Sequence, residues 1–216
     1  MSRFSTYLFD LDGTLVDHFA AIHRAHSHTM RELGLPPPTP EQVRAAVGAG
    51  LEVAISRLAG PENVARALPI YRPYWDRTML DDVALYPGAR ELLSALHGSG
   101  AKLAVFTNKH GPSSRRICEH LDIARFLDGN FGATDTPWLK PQPEFAQHAL
   151  TTLGRDAAST LLIGDSIYDV AAARNGGFPA WCVTTGTHNE AELLAAGAER
   201  VFPDLFAVAR ALNLPA

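Results

Sequence analysis

The sequence predicts an α/β fold, a doubly wound parallel sheet with a smaller all-α domain inserted after its first strand. Three observations predict it. Short apolar runs alternate with helical periodicity along most of the chain. One interval, residues 19–82, breaks the alternation and is helical throughout. Three apolar runs end in residues that carry chemistry, and a doubly wound sheet builds its site at such strand ends.

The elements follow in order. Tyr7-Leu8-Phe9 forms the centre of a first strand, residues 6–10. A helix over 19–33 is closed off by the triple proline at 36–38. Thr39-Pro40-Glu41-Gln42 has capping-box spacing with proline at the first helical position, so a second helix starts there. Two more helices are expected over 51–58 and 68–80. Tyr86-Pro87-Gly88 marks the return to the sheet domain. Strands are then expected at 102–107, 160–164 and 180–184, with a weaker one at 200–202. Helices are expected over 88–97, 112–121, 143–153, 167–175 and 190–196. The predicted division is a sheet domain of residues 1–16 and 83–216 and a helical domain of residues 17–82.

The 216 residues are 46% hydrophobic and 19% charged, enough for one well-formed core and a small second one. A net charge of −4 points away from nucleic acid and anionic membranes. No apolar stretch approaches a membrane span and no secretory signal is apparent, so a cytoplasmic protein is expected. Cys118 and Cys182 are far apart, each in an apolar context, and read as buried reduced thiols.

Asp10 and Asp12 close the first strand two residues apart, and residues i and i+2 of a strand share a face. Two carboxylates ~4 Å apart repel by about 4 kcal/mol at an effective dielectric of ~20. A cation, a shared proton or a catalytic use must offset that. A carboxylate at Asp10 can attack phosphorus. Asp12 would face the same space as a general acid and then base, its proton held by the neighbouring charge. The second strand ends in Thr107-Asn108-Lys109, where hydroxyl, amide and backbone N–H groups at a helix start favour an anion. Lys140, held extended by Pro141, is a candidate to neutralise phosphate and the attacking carboxylate. Asp165 and Asp169 share a helix face, although Ser166 and Asp169 also have capping-box spacing. Asp10, Asp165 and a phosphate dianion carry more negative charge than Lys140 offsets, and all-oxygen ligands with phosphate favour Mg²⁺.

These stations, in this order, resemble the haloacid dehalogenase superfamily over residues 7–177. Asp10-Leu11-Asp12-Gly13-Thr14-Leu15 is similar to its first motif, Thr107 to its second, Lys140 to its third, and Gly164-Asp165-Ser166 with Asp169 to its fourth. The helical insert resembles the subgroup that carries a cap there, most like phosphoglycolate phosphatases in Val105-Phe106-Thr107-Asn108-Lys109 and Lys140-Pro141-Gln142-Pro143. The resemblance implies a Mg²⁺-dependent phosphatase of small phosphorylated metabolites. Asp10 would be nucleophile and Asp12 acid/base, with Lys140, Thr107 and Asn108 on the phosphoryl group. The metal would be held by Asp10, the Asp12 backbone carbonyl and Asp165, with Asp169 orienting its shell. A monomer or weak homodimer is expected. A sugar phosphomutase and a non-catalytic phosphometabolite-binding protein are the alternative readings.

Within the insert, Gly48-Ala49-Gly50 either meets substrate or joins two helices. His18, His23, His26 and His28 cluster on one helix, and Arg57 and Arg72 are candidate anion readers.

Overall fold

The chain's computed structural model describes residues 3–214, so the outermost residues of the predicted sheet domain lie outside it. Among the described residues, six parallel strands form one sheet in the order β5-β4-β1-β6-β7-β8. They are β1 (Thr6–Phe9), β4 (Lys102–His110), β5 (Gly129–Ala133), β6 (Thr160–Gly164), β7 (Ala180–Val183) and β8 (Arg200–Phe202). Thr6–Phe9 is buried throughout, because helices cover both faces of the sheet. Tyr7 and Phe9 join one core with Leu103, Val105, Leu161 and Ile163, while Leu8 joins the opposite core with Ala104, Phe106 and Leu162. That is the period-two alternation of a strand. Burying side chains of this size contributes about 1.5–3 kcal/mol each.

The chain moves from β1 outward through β4 to β5 and then returns to β6 on the other side of β1. The topological switch point therefore lies at β1, and the carboxyl ends of β1, β4 and β6 open onto one crevice. Helices α5 (Ala89–Gly98), α6 (Gly111–His120), α7 (Pro143–Leu153), α8 (Ile167–Gly176), α9 (Glu190–Ala196) and α10 (Leu205–Ala211) flank the sheet.

Four helices occupy the insert: α1 (Phe19–Glu32), α2 (Pro40–Ala46), α3 (Leu51–Ala59) and α4 (Val64–Thr78). Thr39 and Gln42 form the expected reciprocal cap on α2. Helix α4 starts earlier than the pattern suggested and runs through Pro69 and Pro73. Ala21, Ile22, Ala25, Tyr71, Trp75 and Met79 pack into the same buried cluster as Tyr7 and Phe9, so the insert shares its core with one sheet face. Its entry and exit are stitched by a short antiparallel ribbon of β2 (Val16–Asp17) and β3 (Ala84–Leu85).

The structure adds elements and moves one boundary. Strand β5, the β2–β3 ribbon and α10 were not anticipated. Gly129-Asn130-Phe131-Gly132-Ala133 has little intrinsic strand preference and is a strand because β4 pairs with it. Strand β4 runs on to His110 rather than ending at residue 107, because an irregularity between Phe106 and His110 shifts its register on β5. Thr107 and Asn108 therefore lie in a bulged strand end and not at a helix N-terminus. No helix among the described residues is long and apolar enough to cross a membrane.

The four histidines of α1 and its cap do not converge. His23 meets the Pro38 carbonyl and Ser27, His28 stacks on Tyr74, and His26 is buried against Tyr71. Burial, helped by His23, pulls His26 down to about 4. A base held neutral in the fold and protonated in the unfolded chain lowers stability as pH falls from 6.5 toward 4. Thermal melts should show a loss of about 2 kcal/mol between pH 8 and pH 5 that the His26→Phe variant lacks. An identical acid loss in both proteins would contradict this.

Candidate functional site

Strand β1 ends at Phe9, and the chain turns at once through Leu11, whose carbonyl accepts from the N–H groups of Thr14, Leu15 and Val16. Gly13 takes φ +85° there, and a Cβ on it would lie 2.7 Å from Asp165 Oδ2. Only glycine allows both the conformation and the close approach.

This turn separates the two aspartates expected side by side. Because the strand stops before Asp10, the rule that i and i+2 share a face does not reach Asp12. Asp10 faces inward. Its Oδ1 lies 3.0 Å from Lys140 Nζ and accepts from the Leu11 N–H at 2.7 Å. Asp12 faces Lys109, whose Nζ donates to both carboxylate oxygens at 2.7 and 3.0 Å, and His18, whose Nδ1 lies 3.4 Å from Oδ1. The two carboxylates thus have separate partners.

The crowding lies elsewhere. Carboxylate oxygens of Asp10, Asp165 and Asp169 all lie within 4.8 Å of one another, and all three residues are buried. Burial pushes Asp10 up to about 6, with Asp169 adding to the shift and Lys140 and the Thr107 hydroxyl opposing it. Burial, then Asp10 and Asp169, push Asp165 up to about 8 against the donors of Thr187. Asp12 goes the other way. Burial would raise it, but Lys109 and then His18 hold it well below the usual carboxylate range. This reverses the expectation that the Asp10–Asp12 pair keeps a proton on Asp12.

Lys140 is buried and bridges Asp10 and Asp169, with Nζ 2.7 Å from Asp169 Oδ1. Burial would lower its pKa, but Asp10 and Asp169 outweigh that and keep it charged. Asp169 uses its other oxygen on Ser166, accepting from the backbone N–H at 3.0 Å and the hydroxyl at 2.6 Å. It is both the capping residue and an ion-pair partner. Asp165 accepts from the Thr14 hydroxyl at 3.0 Å and from the Thr187 N–H and hydroxyl at 2.8 and 2.9 Å. Thr187 lies beyond β7, and nothing local in the sequence singled it out.

Three buried carboxyl groups share one ammonium, so ionising all three leaves two negative charges uncompensated, which is why burial and mutual repulsion raise Asp10 and Asp165. A hard divalent cation fits this oxygen-only donor set and the charge it leaves. The Asp12 carboxylate lies outside that group of three.

Asn108 has a different task from the one expected of its side chain. Its Nδ2 donates to the carbonyls of Lys140 and Gly48, each at 3.0 Å, and its Oδ1 accepts from the Lys140 N–H at 2.8 Å. The amide is spent on holding the Lys140 backbone and tying the insert to the sheet domain. It leaves no side-chain donor for a phosphoryl group beyond these bonds. Asn108→Ala strands the buried N–H and carbonyl of Lys140 and the half-buried Gly48 carbonyl, so a loss of about 1–3 kcal/mol is expected, read as a lower denaturant midpoint at unchanged slope. An unchanged midpoint would refute this positioning role.

Across the crevice, Ile22, Leu51, Tyr71 and Trp75 wall a cavity of about 470 Å³ whose floor is Asp10, Asp12, Thr107 and Asp165. Gly48-Ala49-Gly50 joins α2 to α3 and lines the cavity too. Arg57 is engaged by Tyr168 Oη at 2.7 Å and the Ala46 carbonyl, whereas exposed Arg72 lines the cavity. His18 stands apart from the other three histidines of this segment. Its Nε2 donates to the Met79 carbonyl at 2.5 Å, which leaves Nδ1 toward Asp12.

The haloacid dehalogenase-like hydrolase family matches residues 7–183. “Probable phosphatase IndB” of Dickeya dadantii is 35% identical over 195 residues, covering 88% of this chain and 85% of that protein. The phosphoglycolate phosphatase of Caulobacter vibrioides is 32% identical over 214 residues, covering 96% and 90%. A solved haloacid dehalogenase-like family hydrolase from Streptococcus pneumoniae superposes with a TM-score of 0.89 at 28% identity, covering 98% of this chain and 99% of the other. With the family matched from the first strand to the fourth site station and relatives alike over most of their length, this chain belongs to the haloacid dehalogenase-like hydrolases.

Proposed function

We propose that the protein is a Mg²⁺-dependent phosphatase of small phosphorylated metabolites, phosphoglycolate-like in substrate class, working through an aspartyl-phosphate. The observation that carries this reading is the buried trio of Asp10, Asp165 and Asp169 with Lys140 bridging two of them at the switch point of the sheet. The names of the relatives support it. So does the separation of the aspartates, which puts a nucleophile and an acid/base in different electrostatic settings.

In this reading the Asp10 carboxylate attacks phosphorus and Asp12 gives a proton to the leaving oxygen. Asp12 then takes a proton from water, which hydrolyses the acyl phosphate. Lys140 stays charged and steadies both Asp10 and the phosphoryl oxygens, with the Thr107 hydroxyl beside it. Mg²⁺, held by Asp10, the Asp12 backbone carbonyl and Asp165 and oriented by Asp169, would offset charge between nucleophile and phosphate. Asp12 is ionised beside Lys109, so the proton it gives to the leaving oxygen is first taken from the monoanionic form of the incoming phosphate ester as that ester displaces Lys109 from one of its oxygens.

The reading takes residues 17–82 as a cap that excludes water from a core of residues 1–16 and 83–216. It also takes the protein as a cytoplasmic monomer or weak homodimer.

A panel of phosphate monoesters with Mg²⁺ and with EDTA tests the reading. Phosphate release that needs Mg²⁺ is expected, and a panel without turnover would refute it. Mg²⁺ at a hundred times its dissociation constant should add about 2.7 kcal/mol of stability. For a chain of this size that raises Tm by roughly 5–10 °C in a melt against EDTA, and an unmoved Tm would remove the metal from the account.

A further inference from the structure

Among the described residues lining the cavity, Lys109 is a cation with an 8% exposed side chain to which the chemistry above gives no task. Its Nζ donates to both oxygens of Asp12 and lies 4.5 Å from the centre of the Trp75 ring, on the cavity wall. Lys140, by contrast, is committed to Asp10 and Asp169 on the phosphoryl side. The two lysines therefore mark the two halves of a bound ester.

The leaving oxygen must come within hydrogen-bond reach of Asp12, about 3 Å, to exchange a proton. Lys109 Nζ is 2.7 Å from the same carboxylate. A substituent on the carbon that bears the leaving oxygen then falls within reach of Nζ. The cavity it lines carries Ile22, Leu51, Val53 and Trp75 beside the charged Arg72 and Asp76, and a buried ammonium against the Trp75 ring favours an anion there. A carboxylate has the right charge and can take the bond that Asp12 gives up.

We propose that Lys109 is a specificity-determining residue that selects phosphate monoesters whose ester carbon carries a carboxylate, the 2-phosphoryloxy carboxylates. This rests on the phosphatase reading. A cavity of about 470 Å³ exceeds the need of the two-carbon acid and leaves room for a substituent on that carbon. The class is therefore wider than phosphoglycolate.

The test compares 2-phosphoglycolate and 2-phospholactate with 4-nitrophenyl phosphate, which has no carboxylate, in the wild type, Lys109→Met and Lys109→Arg. Losing a charge-assisted hydrogen bond should lower kcat/KM for both acids roughly 10- to 100-fold more than for the nitrophenyl ester, chiefly through KM. Lys109→Arg should recover part of that difference. Nitrophenyl turnover in the same preparation reports that the variant is folded. An equal fall for all three esters would show that Lys109 acts only through Asp12, and the proposal would be overturned. A wild type that turns over the nitrophenyl ester and neither acid would also overturn it while leaving the phosphatase reading standing. A wild type idle on all three esters overturns both.

Discussion

Asp10→Asn should reduce Mg²⁺-dependent phosphate release by on the order of 10⁵-fold or more, as expected when a covalent nucleophile is removed. An amide has the size of the carboxylate but cannot attack phosphorus. The folded state should benefit from the change. Burial and Asp169 push Asp10 up to about 6, so above that pH its ionised form weighs against the fold. The sign follows from the raised value. The unfolded chain ionises near pH 3.8, so stability is lost as pH rises from there to about 6 and stays lost above. At pH ~7.5 without metal the variant should be more stable than the wild type. An inactive variant with a higher Tm in EDTA and a smaller response to Mg²⁺ is the expected combination. Retained turnover would sink the nucleophile assignment, and a lower Tm in EDTA would sink the charge argument.

Lys140→Met should do the opposite to stability. The lysine side chain is 1% exposed and touches Asp10 at 3.0 Å and Asp169 at 2.7 Å. Removing it leaves buried carboxylates without their cation, a change that costs about 3–5 kcal/mol. For a chain of this size Tm in EDTA should fall by roughly 10 °C. The loss should shrink when Mg²⁺ is added and also below pH 5, where Asp10 and Asp165 take up protons and need no cation. A melt within 2 °C of the wild type in EDTA would show that the cluster is not held by Lys140. Turnover should also fall steeply, because the phosphoryl oxygens lose a charged donor.

The same cluster shows how far local pattern reaches. Asp10, Thr107 and Asp165 were legible because each stands at or near the end of an apolar run, and the crevice of a doubly wound sheet gathers such ends, whereas Lys140 was legible through the proline that follows it. Their gathering is what the structure shows for Asp10, Asp165, Asp169 and Lys140. Asp169 was legible as a helix cap through its spacing from Ser166, and that spacing says nothing about the lysine on its other oxygen. Lys109 was visible as a letter beside Thr107 and Asn108. Its partner lies 97 positions away, and the bulged end of β4 decides where the side chain goes. Strand β5 was missed for a related reason, since two glycines and an asparagine carry no strand signal without a neighbour to pair with.

By itself the sequence determined the strong periodicities: the helices and strands other than β2, β3, β5 and α10, where the helical insert interrupts the sheet, and which strand ends bear carboxylates, a hydroxyl and a lysine. Those are local properties, set by side-chain spacing and backbone preference. Tertiary structure alone decided the electrostatics. It turned Asp12 away from Asp10 toward Lys109, packed Asp10 against Asp165 and Asp169, and spent Asn108 on the Lys140 backbone. Each of those outcomes depends on burial and on partners brought from distant positions, and a charge responds to its surroundings in space.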